Sequence, residues 1–480
     1  MNKDLVLIFG NFNILHPGHL RLLRFAKSLN KKLVIGLYSD RLAKDAVFVS
    51  ENLRLESILS NNWVDDAFIV DQEIGEVIQD LKPYAVIKGK EYENKDNPEE
   101  KSLNKYGGQL IFSSGDVSFS SIDLLRKEYF EIDKYPIRNP SGFINRHSIS
   151  KSRLIKIIDN FKKKNICVIG DIIVDKYTTC EPLGMSQEDP TIVVKPLSSS
   201  SYMGGAGIVA LHGNALGTNV NFISVVGDDD QSKFVEEKLK EKVNAFLIRD
   251  SNRPTTVKER FRAKNKTLLR VSNLSDSFIS SEIQQSIISH LSKIVSSLDL
   301  IILSDFNYGV LPDDLIKEIT KIAQSNKVMI VADSQSSSQT GDIARFKDMH
   351  LITPTEREAR ISIRDNQVGL VKLAEKVKGI SNCEYMFIKL GEEGLFLHVR
   401  DNKEKESYMT DRIMALNSSP VDTSGAGDSM LTSSSIVLAC GGNIWESAYI
   451  GSICASIQVS RLGNVPIDKD DLLNLIDAHF

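Results

Sequence analysis

Several features that would narrow the class of this chain at once are scarce or missing. It has five cysteines in 480 residues, Cys167, Cys180, Cys383, Cys440 and Cys454, scattered and nowhere spaced Cys-x-x-Cys. That pattern argues against a disulfide framework and a cysteine zinc site, and it leads us to expect reduced thiols in a cytoplasmic protein. Positive charge is not in excess. The 59 Lys and Arg stand against 63 Asp and Glu, a net charge of −4 with no long basic stripe, so nucleic-acid binding has no electrostatic support. No apolar run reaches the ~20 residues of a membrane span, so no membrane insertion is expected. The apolar stretch within residues 1–10 is short and lacks a small-residue cleavage site, so it reads as a buried strand rather than a leader.

What is present is ordinary globular material, 41% apolar and 25% charged, and at 480 residues too long for one domain. Residues 5–9 form an apolar strand, 10–13 a turn, 20–28 a helix by the spacing of Leu22, Leu23 and Ala26, and 33–37 a second strand. Strand-like runs recur at 67–70, 85–87 and 110–112, which predicts a small doubly wound α/β sheet with ligands at the carboxyl ends of its strands. His16-Pro17-Gly18-His19 falls at the first such end, beside a helix start. Two imidazoles three apart can reach one phosphate and stabilise charge as it is attacked.

This stretch resembles the nucleotidyltransferase superfamily marked by His-x-Gly-His, which includes cytidylyltransferases and heptose-phosphate adenylyltransferases. The resemblance implies a Rossmann-like domain with His16 and His19 catalytic. It also implies a nucleotide held by Gly10, Asn11, Phe12, Gly18, Lys44, Arg54 and Lys88, and by Ser118, Ser120 and Ser121 at the start of a helix over 122–129. Asn13 stands where relatives commonly have Asp and is expected at the substrate.

Residues 132–147 contain Pro136, Pro140, Ser141 and Gly142 without clean periodicity, and read as an exposed linker between a domain over 1–131 and another over 148–480. Strands and helices alternate through the second, predicting one large three-layer α/β domain. Near its end, Asp422-Thr423-Ser424-Gly425-Ala426-Gly427-Asp428 opens a helix. Glycines two apart let backbone approach a ligand, free N–H groups at a helix start attract phosphate, and Asp428 is placed to act as general base.

This string resembles the C-terminal signature of the ribokinase/PfkB family of sugar kinases. The resemblance implies that Thr423, Gly425, Ala426 and Gly427 cradle phosphates, with Gly391 on the nucleotide side. It also implies that Asp171, Asp175, Gly204, Gly205, Arg270 and Asp422 contact the sugar and that Glu358 is linked to Mg²⁺. The runs at 191–194, 256–262 and 267–271 alternate in strand fashion, and the resemblance implies that such strands make a small β lid over the sugar site that pairs with a second subunit; the basic residues there, Arg260, Arg262, Lys264 and Arg270, suit a sugar phosphate. The chain departs from the family at Ile208 (Asn in relatives), Gln335 (Lys in a related subfamily) and Thr355 (Asn).

Taken together, the chain resembles the bifunctional enzymes of ADP-heptose synthesis, with the domain order reversed. The implied activity is ATP-dependent phosphorylation of a sugar phosphate, followed by nucleotidyl transfer to the product. The same pair of reactions on another sugar or polyol phosphate with CTP is an alternative, as is one domain serving only binding or dimerisation.

Overall fold

The structure is a computed structural model that describes all residues except 1, 14, 16, 30, 44–48, 90–91, 94–95, 114–136, 264–265, 337–340 and 401–407. The chain divides into two compact units: Met1–Lys134 with Arg364–Glu375, and Tyr135–Ile363 with Lys376–Phe480.

The first unit is built on five parallel strands, β1 (Asn2–Gly10), β2 (Lys32–Tyr38), β3 (Asp66–Val70), β4 (Pro83–Gly89) and β5 (Gln109–Ser113), in the order β3-β2-β1-β4-β5. Both faces are covered. Val6, Ile8, Ile35 and Ile87 pack against Leu23 and Ile58 on one side, and Leu5, Leu7, Val34 and Val86 against Ile78 and Leu103 on the other. Double-sided burial is why these strands read as continuous apolar runs. The strand order reverses at β1, so the turn after Gly10 sits at the crevice where such sheets bind ligands.

The second unit holds the remaining strands: β6 (Asn165–Gly170), β7 (Ile172–Met185), β8 (Ile192–Gly205), β9 (Asn219–Val226), β10 (Asn244–Arg249), β11 (Thr256–Ala263), β12 (Lys266–Asn273), β13 (Leu300–Asp305), β14 (Met329–Ser334), β15 (Leu351–Ile352), β16 (Tyr385–Lys389), β17 (Leu395–Arg400) and β18 (Tyr408–Ile413). Nine of them form one sheet, β10-β9-β6-β13-β14-β15-β16-β17-β18, parallel up to β16 and antiparallel at the β17–β18 edge. The other four form a separate sheet, β12-β11-β7-β8. This is the lid expected from the sequence, enlarged by β7, which runs straight on from the end of β6 for 14 residues.

Helices Ala206–Ala215, Ala426–Ala439 and Ile444–Val459 are buried almost throughout. The middle of Ala426–Ala439 is Thr432-Ser433-Ser434-Ser435, with all four side chains inside. Their hydroxyls are satisfied locally. Thr432, Ser433 and Ser435 donate to carbonyls one turn back, while Ser434 and Ser447 each donate to the other's backbone carbonyl at 3.0 and 2.9 Å. Small side chains let these two helices approach closely. Ile208 packs in the core of the unit, so the departure noted there is a buried apolar contact rather than a sugar contact.

Residues 137–147, expected as an exposed linker, belong to the second unit; 132–136 lie outside the described residues. Ile137 bridges to Asn417, and Arg138 N donates to Leu416 O at 2.6 Å. Helix Ser141–Arg146 buries Phe143 and Ile144, and His147 stacks on Trp445 at 3.8 Å with Nε2 2.7 Å from Asp411. The Pro140-Ser141-Gly142 string that looked like a connector is a helix start, with Pro140 O accepting from Phe143 and Ile144.

Candidate active sites

In the second unit the site forms where β6, β13, β14 and β16 end beneath the four-stranded sheet. Gly425 adopts φ 78°, a left-handed conformation that disfavours any Cβ, and helix Ala426–Ala439 starts directly from it with no side chain capping its first N–H groups. Asp428 lies in the first turn and is buried. Burial, then the nearby Asp333 carboxylate, push its carboxyl up to about 7, against the pull of Lys389. Gln335 Nε2 donates to Asp428 Oδ1 at 2.8 Å, so the glutamine that departs from the family pattern holds the expected base. Lys389, at the end of β16, pairs with Asp333 at 2.8 Å. Burial pulls the Lys389 ammonium down, but Asp333 and Glu358 outweigh it and hold it above its ordinary value.

Across the site, Asp175 on β7 is fixed by Arg260 of β11 and by Asn464 Nδ2 at 3.1 Å. A Cβ on Gly204 would overlap Asp175 Oδ2, so only glycine leaves that carboxylate in place. Lys258, Arg260 and Arg262 alternate along β11 and therefore share a face. The Lys258 ammonium lies 5.0 and 5.1 Å from the Phe306 and Tyr308 rings, and the Arg260 and Arg262 guanidinium groups 5.1 and 5.7 Å from the Tyr177 ring. Arg270, directly opposite Arg260 on β12, is exposed. Gly205 precedes helix Ala206–Ala215, Thr423 is exposed beside the loop, and Gly391 (φ 62°) opens an exposed turn.

Three expected contacts turn out to be braces. Asp171, expected on the sugar, is buried and accepts from the backbone N–H of Phe306 (2.7 Å), Tyr308 (3.3 Å) and Val310 (3.1 Å), which shapes the 306–310 loop. Burial and the neighbouring Asp305 raise it to about 6. Asp422, also expected on the sugar, accepts from Ser424 N, Gly463 N and the Tyr177 hydroxyl. Burial pushes its pKa up, but these donors hold it below the usual carboxylate range. Glu358, expected at the metal, accepts from Ser336 N at 2.8 Å and Thr355 N at 2.7 Å, while Thr355 Oγ1 accepts from Glu358 N. That reciprocal pair is a capping box, and Thr serves in it as well as Asn. Gln335 was marked from the sequence as a departure from the family at an expected ligand contact, whereas Lys389, Lys258 and Asn464 were not singled out as site residues. Of these three only Lys389, a charge ending the apolar run Met386-Phe387-Ile388, left a signal there.

In the first unit Gly10, Asn11, Phe12 and Asn13 form the turn after β1. Phe12 is buried with φ 47°, its ring 4.7 Å from that of His19 near the start of helix Pro17–Lys27, which also carries Gly18. Asn13 Oδ1 accepts from Val49 N at 3.3 Å. Arg54, expected on the nucleotide, is fully buried and donates to Val49 O (2.7 Å), Asn11 O (2.7 Å) and Asp40, so it ties the turn to the end of β2 instead. Lys88 pairs with buried Glu99 at 2.8 Å. His16, Lys44, Ser118, Ser120 and Ser121 lie outside the described residues.

A buried carboxylate at an uncapped helix start, on a three-layer α/β domain with a β lid, defines the second unit as a carbohydrate-kinase fold. Residues 163–469 match the pfkB family of carbohydrate kinases, and the chain belongs to that family. Residues 7–111 match the cytidylyltransferase-like family. Among curated relatives the chain is 31% identical over 323 residues to the bifunctional protein HldE of Aliarcobacter butzleri, covering 65% of this chain and 64% of that one. It is 30% identical over 306 residues to HldE of Nitratiruptor, covering 63% and 62%. The chain thus spans under two thirds of the length of these relatives. Among solved structures, Arabidopsis thaliana ribokinase complexed with ribose and ATP superposes with TM-score 0.51 at 19% identity, over 65% of this chain and 98% of that one. Giardia lamblia ribokinase gives 0.53 at 16%, over 66% and 99%. Both share the fold.

Proposed function

We propose that this protein is a bifunctional enzyme: its second unit phosphorylates a sugar phosphate with ATP, and its first unit joins the product to a nucleotide, releasing pyrophosphate. The product is a nucleotide-activated sugar of the ADP-heptose type, used for surface polysaccharide. The observation that carries the kinase half is Asp428, a buried carboxyl raised to about 7, oriented by Gln335 at a helix start whose N–H groups have no side-chain cap. A base with that affinity takes a hydroxyl proton near neutral pH and is not wasted as a permanent charge. Asp175, held by Arg260 and Asn464, is placed to accept from sugar hydroxyls. The cationic face of Lys258, Arg260 and Arg262, with Arg270 opposite, favours a phosphorylated over a neutral sugar.

Mg²⁺ fits this site as a companion of the triphosphate. Asp333 Oδ1 is buried without a hydrogen-bond partner, yet among the described residues no cluster of three or more His, Cys, Asp or Glu is arranged to hold an ion alone. Asp333 and, through its loop, Glu358 are the residues that would support the ion, which supplies charge neutralisation on the phosphates. ATP as substrate and five cysteines without a disulfide support a cytoplasmic setting. No helix among the described residues is long and apolar enough to cross a membrane.

The test is to follow ADP and pyrophosphate formation by the purified protein across four nucleoside triphosphates and a panel of sugars and sugar phosphates. ADP formation is expected with a sugar phosphate, and pyrophosphate release with its 1-phosphorylated product and ATP. Pyrophosphate release with CTP alone would move the second activity to the alternative base. Release of neither product would remove the proposal.

The lid also supports a homodimer. Leu183 and Met185 on β7 and Ile192 and Leu197 on β8 are each about 60% exposed on one hairpin, an apolar surface suited to a second copy of itself. The double substitution Leu183→Glu with Ile192→Glu is expected to convert a dimer to a monomer in sedimentation. A wild-type monomer, or a variant still dimeric, would count against the lid as the interface.

A further inference from the structure

We propose that Lys389 is a catalytic residue of the kinase reaction: its ammonium, held by Asp333 over the Gly425-Ala426-Gly427 loop, contacts the phosphoryl group in transit. The proposal rests on the kinase reading above and deepens it.

The placement comes from three elements that meet. β16 ends at Lys389, β14 carries Asp333 one strand beyond β15, and the helix from Ala426 starts opposite them. Lys389 Nζ lies 2.8 Å from Asp333 Oδ2 and 3.2 Å from where a Cβ on Gly427 would stand. It therefore covers the loop that the helix start offers to a phosphate, on the side where Asp428 sits. The charge balance there calls for a cation. Asp333, Glu358 and Asp428 are all buried and all act on Lys389. A phosphoryl group moving into that surrounding would meet three carboxyl groups, and the helix start alone contributes only about half a positive charge.

Lys389 has the donors to do more than pair with Asp333. An ammonium carries three N–H groups, and one hydrogen bond from Lys389, to Asp333, is found among the described residues. The pair with Asp333 acts as a tether. It fixes a flexible side chain at one point, so a charge that would otherwise sample many rotamers is already in place when the reaction begins. With glycine at 427 the ammonium sits this close without having to give way to a Cβ.

In the reaction the acceptor oxygen bonds to the γ-phosphorus while its proton passes to Asp428. The bond from that phosphorus to the β,γ-bridging oxygen breaks, and its electron pair leaves on ADP. Lys389 neither gains nor loses a proton; it offsets the negative charge of the group between the two oxygens.

Lys389→Met keeps the length of the side chain and removes the charge. In steady-state assays with ATP and the best acceptor, kcat is expected to fall about 10²–10³-fold, with the acceptor KM and calorimetric ADP affinity within a factor of about two of wild type. A purely structural partner of Asp333 would not produce that split. A folded variant retaining kcat within about fivefold, or one that loses ADP affinity in step with kcat, would overturn the proposal. If Lys389→Met loses its thermal transition, Lys389→Arg is the second variant. It keeps the charge on Asp333 but moves the donors, so kcat should still fall at least about tenfold, and full turnover would overturn the proposal. Wild type that forms no ADP with any acceptor would remove the kinase reading itself, and this proposal with it.

Discussion

Asp428→Asn is expected to abolish phosphoryl transfer while leaving ATP bound. An amide of the same size can still accept the 2.8 Å hydrogen bond from Gln335 through its oxygen, so the loop geometry survives. The N–H groups that follow Gly425 are backbone and unchanged. What is lost is the ability to take a proton from the acceptor hydroxyl, worth about 10²–10⁴ in rate. Single-turnover ADP formation beside calorimetric ATP binding separates the two effects. Full turnover by the mutant would reduce Asp428 to a helix-start residue and take the kinase assignment with it.

The same carboxyl sets a pH dependence. Because burial and Asp333 raise Asp428 to about 7 in the free protein, the base is protonated and idle on the acid side, so wild-type kcat/KM should decline as pH falls through 7. The stability effect runs the other way. A carboxyl ordinary in the unfolded chain and raised in the fold favours the neutral native form. Its contribution to stability is therefore fully present below the unfolded value and lost as pH rises through about 7. At pH 8 the Asn variant, with no charge to bury, should melt a few degrees above wild type although it is inactive. A variant that melted lower would show that the charge is already compensated by Lys389.

His19→Ala, and equally His16→Ala, should cut pyrophosphate release by about 10²–10³ and leave ADP formation untouched. For His19 the structure adds a reason. Its ring is set against Phe12, whose buried side chain and left-handed backbone are held by the turn that Arg54 ties to Asp40. A histidine so positioned cannot be replaced by the wandering of a neighbour. Pyrophosphate release within a few-fold of wild type for both variants would detach the activity from the His-x-Gly-His motif.

Much of this protein could be read from residue order alone, because the features concerned are local. Phosphate-loop glycines must lie next to the helix they start. Two histidines that share a phosphate must be about a turn apart, and a strand buried on both faces must be apolar along its length. So the doubly wound first sheet, the large α/β second unit and the lid strands were legible in sequence, as was the placement of Asp428 and His19 in the first turns of their helices. What could not be read was which polar groups a remote segment would claim. Asp171, Asp422 and Arg54 sit where ligand contacts were expected, yet loops 135, 41 and 43 residues away, counted to Phe306, Gly463 and Asn11, engage them in hydrogen bonds. Lys389 reaches Asp333 across 56 residues, and Gln335 reaches Asp428 across 93. A buried polar group must find a partner, and any donor that the fold brings within 3 Å will serve. Sequence therefore determined which residues were capable of chemistry, and tertiary structure decided which of them were left with capacity to perform it.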